Sequence, residues 1–291
     1  MRFSVQTTSS DLEMLREAVS SNCDKVRFGS EFCEWKIPSL AELEKAFMLV
    51  KDGGKDFTYV TPRVSDSGIG KLVRQLDFLN GKGEIGVVMN DLGVLNILGR
   101  YPNLIPHLGR QLVHVPARCP WLKRSIRDTL LEKAGGIDEI YSQTSLNYPP
   151  TIKFFQDQGV RGVDLDWIPR CFPYYDLLAK AGIDLSVHLH LVPVTLTRKC
   201  HTARLLGEDA PDTCSRPCTD RAFLLKNPRL GLGFFLHENA VFRLIEPSKR
   251  DVANLPRNGI SEFVITMSPI TRILNRERID ELVLQLRQLA S

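Results

Sequence analysis

Short apolar strands alternate with amphipathic helical stretches along most of this 291-residue chain, and that alternation restricts its fold more than any other feature. Arg2–Val5, Lys25–Gly29, Phe57–Val60 and Glu84–Met89 read as strands. They are separated by helical patterns over Leu12–Val19 (capped by Ser10), from Ser39 to Gly53, and near Gly70–Leu79. In the second of these, Leu40, Leu43, Phe47 and Val50 fall at helical spacing. Leu92–Leu98 is helical behind the fourth strand. Asp138–Tyr141, Val160–Leu165 and Leu185–Val192 read as further strands, with helices over Thr151–Gln158 and Tyr174–Lys180 between them. Glu262–Met267 supplies an eighth strand and Asp280–Leu289 a closing helix. Strands joined by single helices pair in parallel through right-handed crossovers. Eight of them favour a closed (β/α)8 barrel of the TIM type over an open sheet, because the first and last strands then pair.

The expected organisation is one barrel-like domain over residues 1–291. Two stretches interrupt its rhythm. Residues 101–137 carry Pro102, Pro106, Pro116, Pro120 and the basic run Lys123–Arg127, and read as an excursion. Residues 197–260 are loop-rich, with a hairpin over Gly233–Ile245. No apolar run approaches the roughly 20 residues of a membrane helix, and the first residues lack a signal-peptide pattern. The expectation is a cytoplasmic protein without a membrane span. Thirty-eight basic and 34 acidic residues give a net charge of +4, which permits nucleic-acid binding without demanding it.

Seven cysteines at uneven spacing argue against a disulfide framework. Three lie in RKCHTARLLGEDAPDTCSRPC, where Cys200, Cys214 and Cys218 are separated by 13 and 3 residues. The neighbours of Cys214 and Cys218 are polar, so no apolar face explains them. The segment follows a strand, which places it at the barrel face where active sites are built. Three thiolates supply most of a tetrahedral zinc site or an iron–sulfur cluster, and a fourth ligand must come from elsewhere. Cys33, just past a strand in FGSEFC, shares that face. His201 and His237 are rivals for zinc, and Cys119 and Cys171 for either group. Cys23, Cys119 and Cys171 read more simply as small buried hydrophobes. The spacing suits both metals and leans toward a cluster.

The stretch from FGSEFC through RKCHTAR to DTCSRPC resembles the collagenase-like peptidase family U32. The resemblance rests on Gly29 and Cys33 in G-x-x-x-C, on MNDLGVLNIL at 89–98, on Cys200 in R-x-C-x-T-A-R, and on the Cys214/Cys218 pair after Pro211 and Asp212. It implies a barrel-like fold and a [4Fe–4S] cluster held by Cys33, Cys200, Cys214 and Cys218, with zinc as the alternative. Members linked to RNA hydroxylation draw their cysteines from mid-chain onward. This chain has Cys33 instead and none after Cys218, the arrangement of the branch linked to ubiquinone biosynthesis. That branch implies a subunit for oxygen-independent hydroxylation of a small aromatic or isoprenoid-quinone precursor, with a homologous U32-family protein as heterodimer partner. The excursion at 101–137 looks longer than in that branch. Despite the family's name, no HExxH, G-x-S-x-G or other protease constellation is present.

Four strand residues are candidate catalytic groups. His188 and His190 alternate with apolar residues and so point to one face, as do Asp164 and Asp166. Inside a barrel the histidines would approach the cysteine loop, to bind substrate, relay protons or bond within a polar core. The carboxylates would share a proton, bind a cation or pair with Arg161 or Arg170. Arg63 and Asp91 lie just past strands, and Lys123, Arg124, Arg198 and Arg216 would form a basic surface if RNA were the substrate. A non-catalytic, metal-stabilised partner-binding protein is the third reading.

Overall fold

The computed structural model describes residues 2–7, 12–120, 137–208, 214–219, 221–228, 231–253 and 259–290. Eight parallel strands close into a barrel: β1 (Arg2–Thr7), β2 (Lys25–Gly29), β3 (Asp56–Thr61), β4 (Ile85–Met89), β5 (Leu104–Leu108), β6 (Gly162–Asp166), β7 (Asp184–His188) and β12 (Ile260–Thr266). Closure is made by the first and last of them, with Phe3 opposite Phe263 and Val5 opposite Ile265. Helices α1 (Leu12–Ser20), α2 (Leu40–Asp52), α3 (Asp66–Asn80), α4 (Leu92–Leu98), α5 (Ile137–Ser142), α6 (Pro149–Asp157) and α7 (Phe172–Lys180) follow successive strands, and α10 (Arg276–Ala290) ends the chain. Helix α2 shows how locally these are specified. Ser39 Oγ accepts from the Glu42 amide while the Glu42 carboxylate accepts from the Ser39 amide, a reciprocal cap. Leu43, Phe47 and Val50 are buried, each contributing roughly 1.5–3 kcal/mol. The Ser10 cap and the Lys123–Arg127 run lie outside the described residues.

Alternation along the strands separates two environments. Outward side chains such as Phe3, Val26, Phe28, Tyr59, Val87, Val163, Leu165 and Phe263 join the apolar core beneath the helices. The inward face is polar. Arg27, 2% exposed, sends Nη1 to both oxygens of Asp164 (2.9 and 2.7 Å) and Nε to Glu262 (2.9 Å). Asp164 also meets His188 Nε2 at 2.9 Å, and Glu262 takes Lys25 at 2.6 Å and the Ser4 hydroxyl at 2.8 Å. Toward the C-terminal ends, Arg110 grips Glu31 with two bonds (2.8 and 2.7 Å) and reaches Asp166 at 3.0 Å. Arg118 Nε holds the second Asp166 oxygen at 2.6 Å. A buried charge is tolerable only when paired and hydrogen-bonded, and these are.

A second, antiparallel sheet of four strands, in the order β8-β11-β10-β9, comprises β8 (Leu191–Leu196), β9 (Phe223–Asn227), β10 (Leu232–His237) and β11 (Ala240–Leu244). Of two short helices, α8 (His201–Leu205) lies between β8 and β9 in the chain and α9 (Lys249–Ala253) follows β11. The hairpin expected over Gly233–Ile245 is β10–β11. Leu191, Ala240 and Phe242 of this sheet pack with Phe32 and Ile270, and so tie it to the barrel loops.

Three expectations are corrected. The fifth barrel strand is Leu104–Leu108, inside the supposed excursion, whereas Asp138–Tyr141 lies in helix α5. Ile137, Ile140 and Tyr141 stand at i, i+3 and i+4, a helical spacing. Pro106, which has no N–H to donate, sits just before the two-residue pairing of β5 with β6 begins, so the ladder tolerates it. The run Leu185–Val192 is not one strand. It breaks after His188, and His190 takes a left-handed φ of 68° that turns the chain into the second sheet.

Candidate functional site

The four cysteines come from three chain segments that meet at the C-terminal mouth of the barrel. Strand β2 ends at Gly29, whose φ of 135° is one that glycine tolerates and other residues rarely adopt. A Cβ there would lie 2.1 Å from the Val60 carbonyl oxygen, so only glycine lets the chain leave the strand this close to β3. The Ser30 amide then donates to that oxygen at 3.0 Å, and the Ser30 hydroxyl donates to the Cys33 carbonyl at 2.7 Å. Cys33 is thereby fixed, buried, ahead of a single helical turn over Glu34–Lys36.

Cys200 caps helix α8, its Sγ accepting from the Ala203 amide at 3.4 Å and donating to the Glu238 carbonyl at 3.0 Å. Cys214 Sγ accepts from the Arg216 amide at 3.4 Å, where Arg216 has a φ of 61°. Cys218 is buried, with its carbonyl 3.0 Å from His237 Nε2. Cys33, Cys200 and Cys214 line one cavity of about 740 Å³.

Burial is the main force raising the thiols of Cys33, Cys200 and Cys218, because it disfavours the thiolate. Three of the four also act on another: Cys33 feels Cys218, Cys200 feels Cys214, and Cys218 feels both Cys200 and Cys214. A buried ion pair, Lys36 Nζ to Glu238 at 3.0 Å, stands behind them, with both side chains 4% exposed. Among the described residues no three His, Cys, Asp or Glu side chains converge tightly enough to hold one metal ion. Cys23 and Cys171 are buried in the apolar core, while Cys119 is half-buried and lines a different cavity. Of the histidine rivals, His201 is exposed and His237 is engaged with the Cys218 backbone.

The candidate catalytic residues do not form one site. His188 points into the barrel onto Asp164, its Nδ1 buried without a partner. His190 instead lies at the junction of the two sheets, with Nδ1 3.4 Å from Glu246. The two therefore do not share a face, because the backbone turns between them. Asp164 and Asp166 are both buried inward, but each is neutralised by its own arginines: Arg27 for the first, Arg110 and Arg118 for the second. Neither Arg161 nor Arg170 plays that part. Asp91 caps α4 by accepting from the Gly93 amide, a structural task. Arg63 lines the cysteine cavity together with Arg198, Lys199 and Arg204. Sequence reasoning missed Arg27, Glu31, Arg110 and Glu262; the signal for Arg27 and Glu262 was a charge between apolar residues of a strand, whereas Glu31 and Arg110 lie two residues past the ends of β2 and β5.

The chain is thus a parallel eight-stranded α/β barrel, capped by a small antiparallel sheet, with a four-cysteine candidate site between them. No protein-family model and no curated protein matches it. Among solved structures it is similar to a U32 peptidase at 12% identity and a TM-score of 0.46, over 92% of this chain and 93% of that one. It is similar in the same degree to the thiamine phosphate pyrophosphorylase of Pyrococcus furiosus (8% identity, TM-score 0.46, 100% and 97% covered). The tryptophan synthase A-subunit of the same organism follows at 13% identity and 0.44, with 99% and 97% covered. Likeness at this level carries no functional argument. No helix among the described residues is long and apolar enough to cross a membrane.

Proposed function

We propose that this chain is an iron–sulfur protein of the U32 family, of the type of the ubiquinone-biosynthesis protein UbiV. In this reading it is a cytoplasmic subunit for oxygen-independent hydroxylation of an aromatic or isoprenoid-quinone precursor, paired with a homologous partner. The observation that carries it is the gathering of Cys33, Cys200 and Cys214 around one cavity, with Cys218 buried close to them, from three segments in all. The donor set fits a [4Fe–4S] cluster better than zinc. Four ligands of one ion must converge on a point, which these side chains do not. Ligands of a cluster each take a different iron around a shared volume.

When bound, such a cluster would supply electron transfer or substrate activation. The protein's own contribution is legible around it. The Ala203 and Arg216 amides point at the sulfurs of Cys200 and Cys214, and hydrogen bonds to ligand sulfur tune a cluster's potential. Lys36 places a buried cation near Cys218 and Cys33, which favours their thiolates over the thiols that burial alone would leave.

A second reading, RNA hydroxylation, draws on the basic residues Arg63, Arg198, Lys199 and Arg204 at the cavity rim, with Arg216 exposed nearby. One experiment separates the two. In cells lacking the gene and grown without oxygen, under-hydroxylated quinone precursors accumulate, and the intact gene restores the profile while a Cys214→Ser version does not. An unchanged quinone profile with missing hydroxylated nucleosides in the RNA would instead establish the second reading.

A further inference from the structure

A second cavity, of about 660 Å³, lies apart from the four candidate ligand cysteines, between the loops after β5 and β6 and the small sheet. Ile168, Pro169, Val192, Leu232, Ile245 and Tyr141 give it an apolar wall. Among the described residues its charged lining consists of Arg170 and Arg243, with no carboxylate. We infer that this cavity binds a small oxyanion, a carboxylate or a phosphate, carried on an apolar body, through Arg170 and Arg243.

The arginines of this region differ in a way that points to a ligand. Arg118, between the lining residues Ala117 and Cys119, is neutralised by Asp166 at 2.6 Å. Arg170 and Arg243 have no acidic partner among the described residues, although Arg170 is close enough to disfavour the charge on Arg243. Burial lowers the Arg243 guanidinium, and Arg170 lowers it further. Arg170 is exposed and Arg243 half-buried, so an anion can reach both, and the guanidinium fork matches carboxylate and phosphate oxygens bidentately. Arg243 stands on β11 beside Val192 of β8. Arg170 follows β6 in a single turn over Pro169–Cys171. One cation is thus carried by each wall. The volume is that of a small-molecule site, with few polar groups on an apolar lining.

This inference is independent of the iron–sulfur reading, because no cysteine of the candidate cluster lines the cavity. The test is calorimetric titration of the purified full chain with 3-phenylpropionate, geranyl phosphate, inorganic phosphate and the neutral 3-phenylpropanol. At least one of the two amphipathic anions is expected to bind, and the arm that responds identifies the oxyanion. Inorganic phosphate and the alcohol are expected to bind far more weakly, since each offers half of what the cavity recognises. Arg243→Gln and the double variant with Arg170→Gln should weaken binding on the order of tenfold or more, with thermal unfolding unchanged. Equal binding of the alcohol, unaltered affinity in the double variant, or no binding of either anion at millimolar concentration would overturn it.

Discussion

Replacing Arg27 by Met is expected to lower the unfolding free energy at neutral pH by about 3–5 kcal/mol, the cost of leaving buried charge without its partner. Among the described residues Arg27 is the one cation joining Asp164 and Glu262 across the barrel interior, with four bonds of 2.5–2.9 Å. Methionine matches its length but leaves two carboxylates inside the barrel facing only His188, Lys25 and Ser4. The deficit is also expected to shrink with acid, because both carboxylates can then take up protons and become neutral. Urea titrations of both proteins at pH 7 and pH 4 measure it. A loss below 1 kcal/mol, or one equal at both values, would show that the network contributes little.

The second large effect is acid unfolding of the intact protein in two stages. Burial pushes His107 down from 6.5 to about 4, as it lies against Gly162 inside the barrel. A folded-state value below the unfolded one means that the unfolded chain binds the proton first. Stability is therefore complete above pH 6.5 and declines as the pH falls toward 4. Burial alone would raise Glu262, but Arg27 and Lys25 outweigh it and hold the group at about 2 instead of 4.5. Its contribution is present above pH 4.5 and is lost as the pH falls toward 2. Asp164 is lowered in the same sense: Arg27 and His188 overcome its burial, so its stabilisation adds to the lower stage. Stability followed from pH 8 to pH 2 should slope gently below 6.5 and steeply below 4.5; burial lowers His188, His190 and His237 as well, so His107→Gln should reduce the upper slope without abolishing it and leave the lower one unchanged. A flat profile down to pH 4 would contradict the burial of a neutral His107.

How much of this was readable in the sequence depends on whether a feature is local. Helix α2 declared itself through Ser39, Glu42 and its spaced apolar residues, and the barrel through repeated strand–helix units. The cysteine set was legible because Cys214 and Cys218 sit among polar residues where no apolar face explains a thiol. Strand β5 was not legible, since Pro106 and His107 in a five-residue strand read as loop. Only the neighbouring strands β4 and β6 make that segment extended. The turn at His190 gave no sign, because a left-handed φ is unusual for histidine and the apolar pattern runs straight through it. The charged interior was hidden for a related reason. Arg27, Asp164 and Glu262 are far apart in sequence, and each alone resembles a solvated charge at a strand position. Pairing across a closed barrel is a property of topology, which no single segment contains.

The central claim is that Cys33, Cys200, Cys214 and Cys218 hold a cluster, and the metal content of the anaerobically purified full-length chain tests it most directly. The account predicts a brown protein with about four iron and about four acid-labile sulfide per chain, lost in Cys214→Ala. A colourless protein carrying one zinc, or iron retained in full by Cys214→Ala, would contradict it.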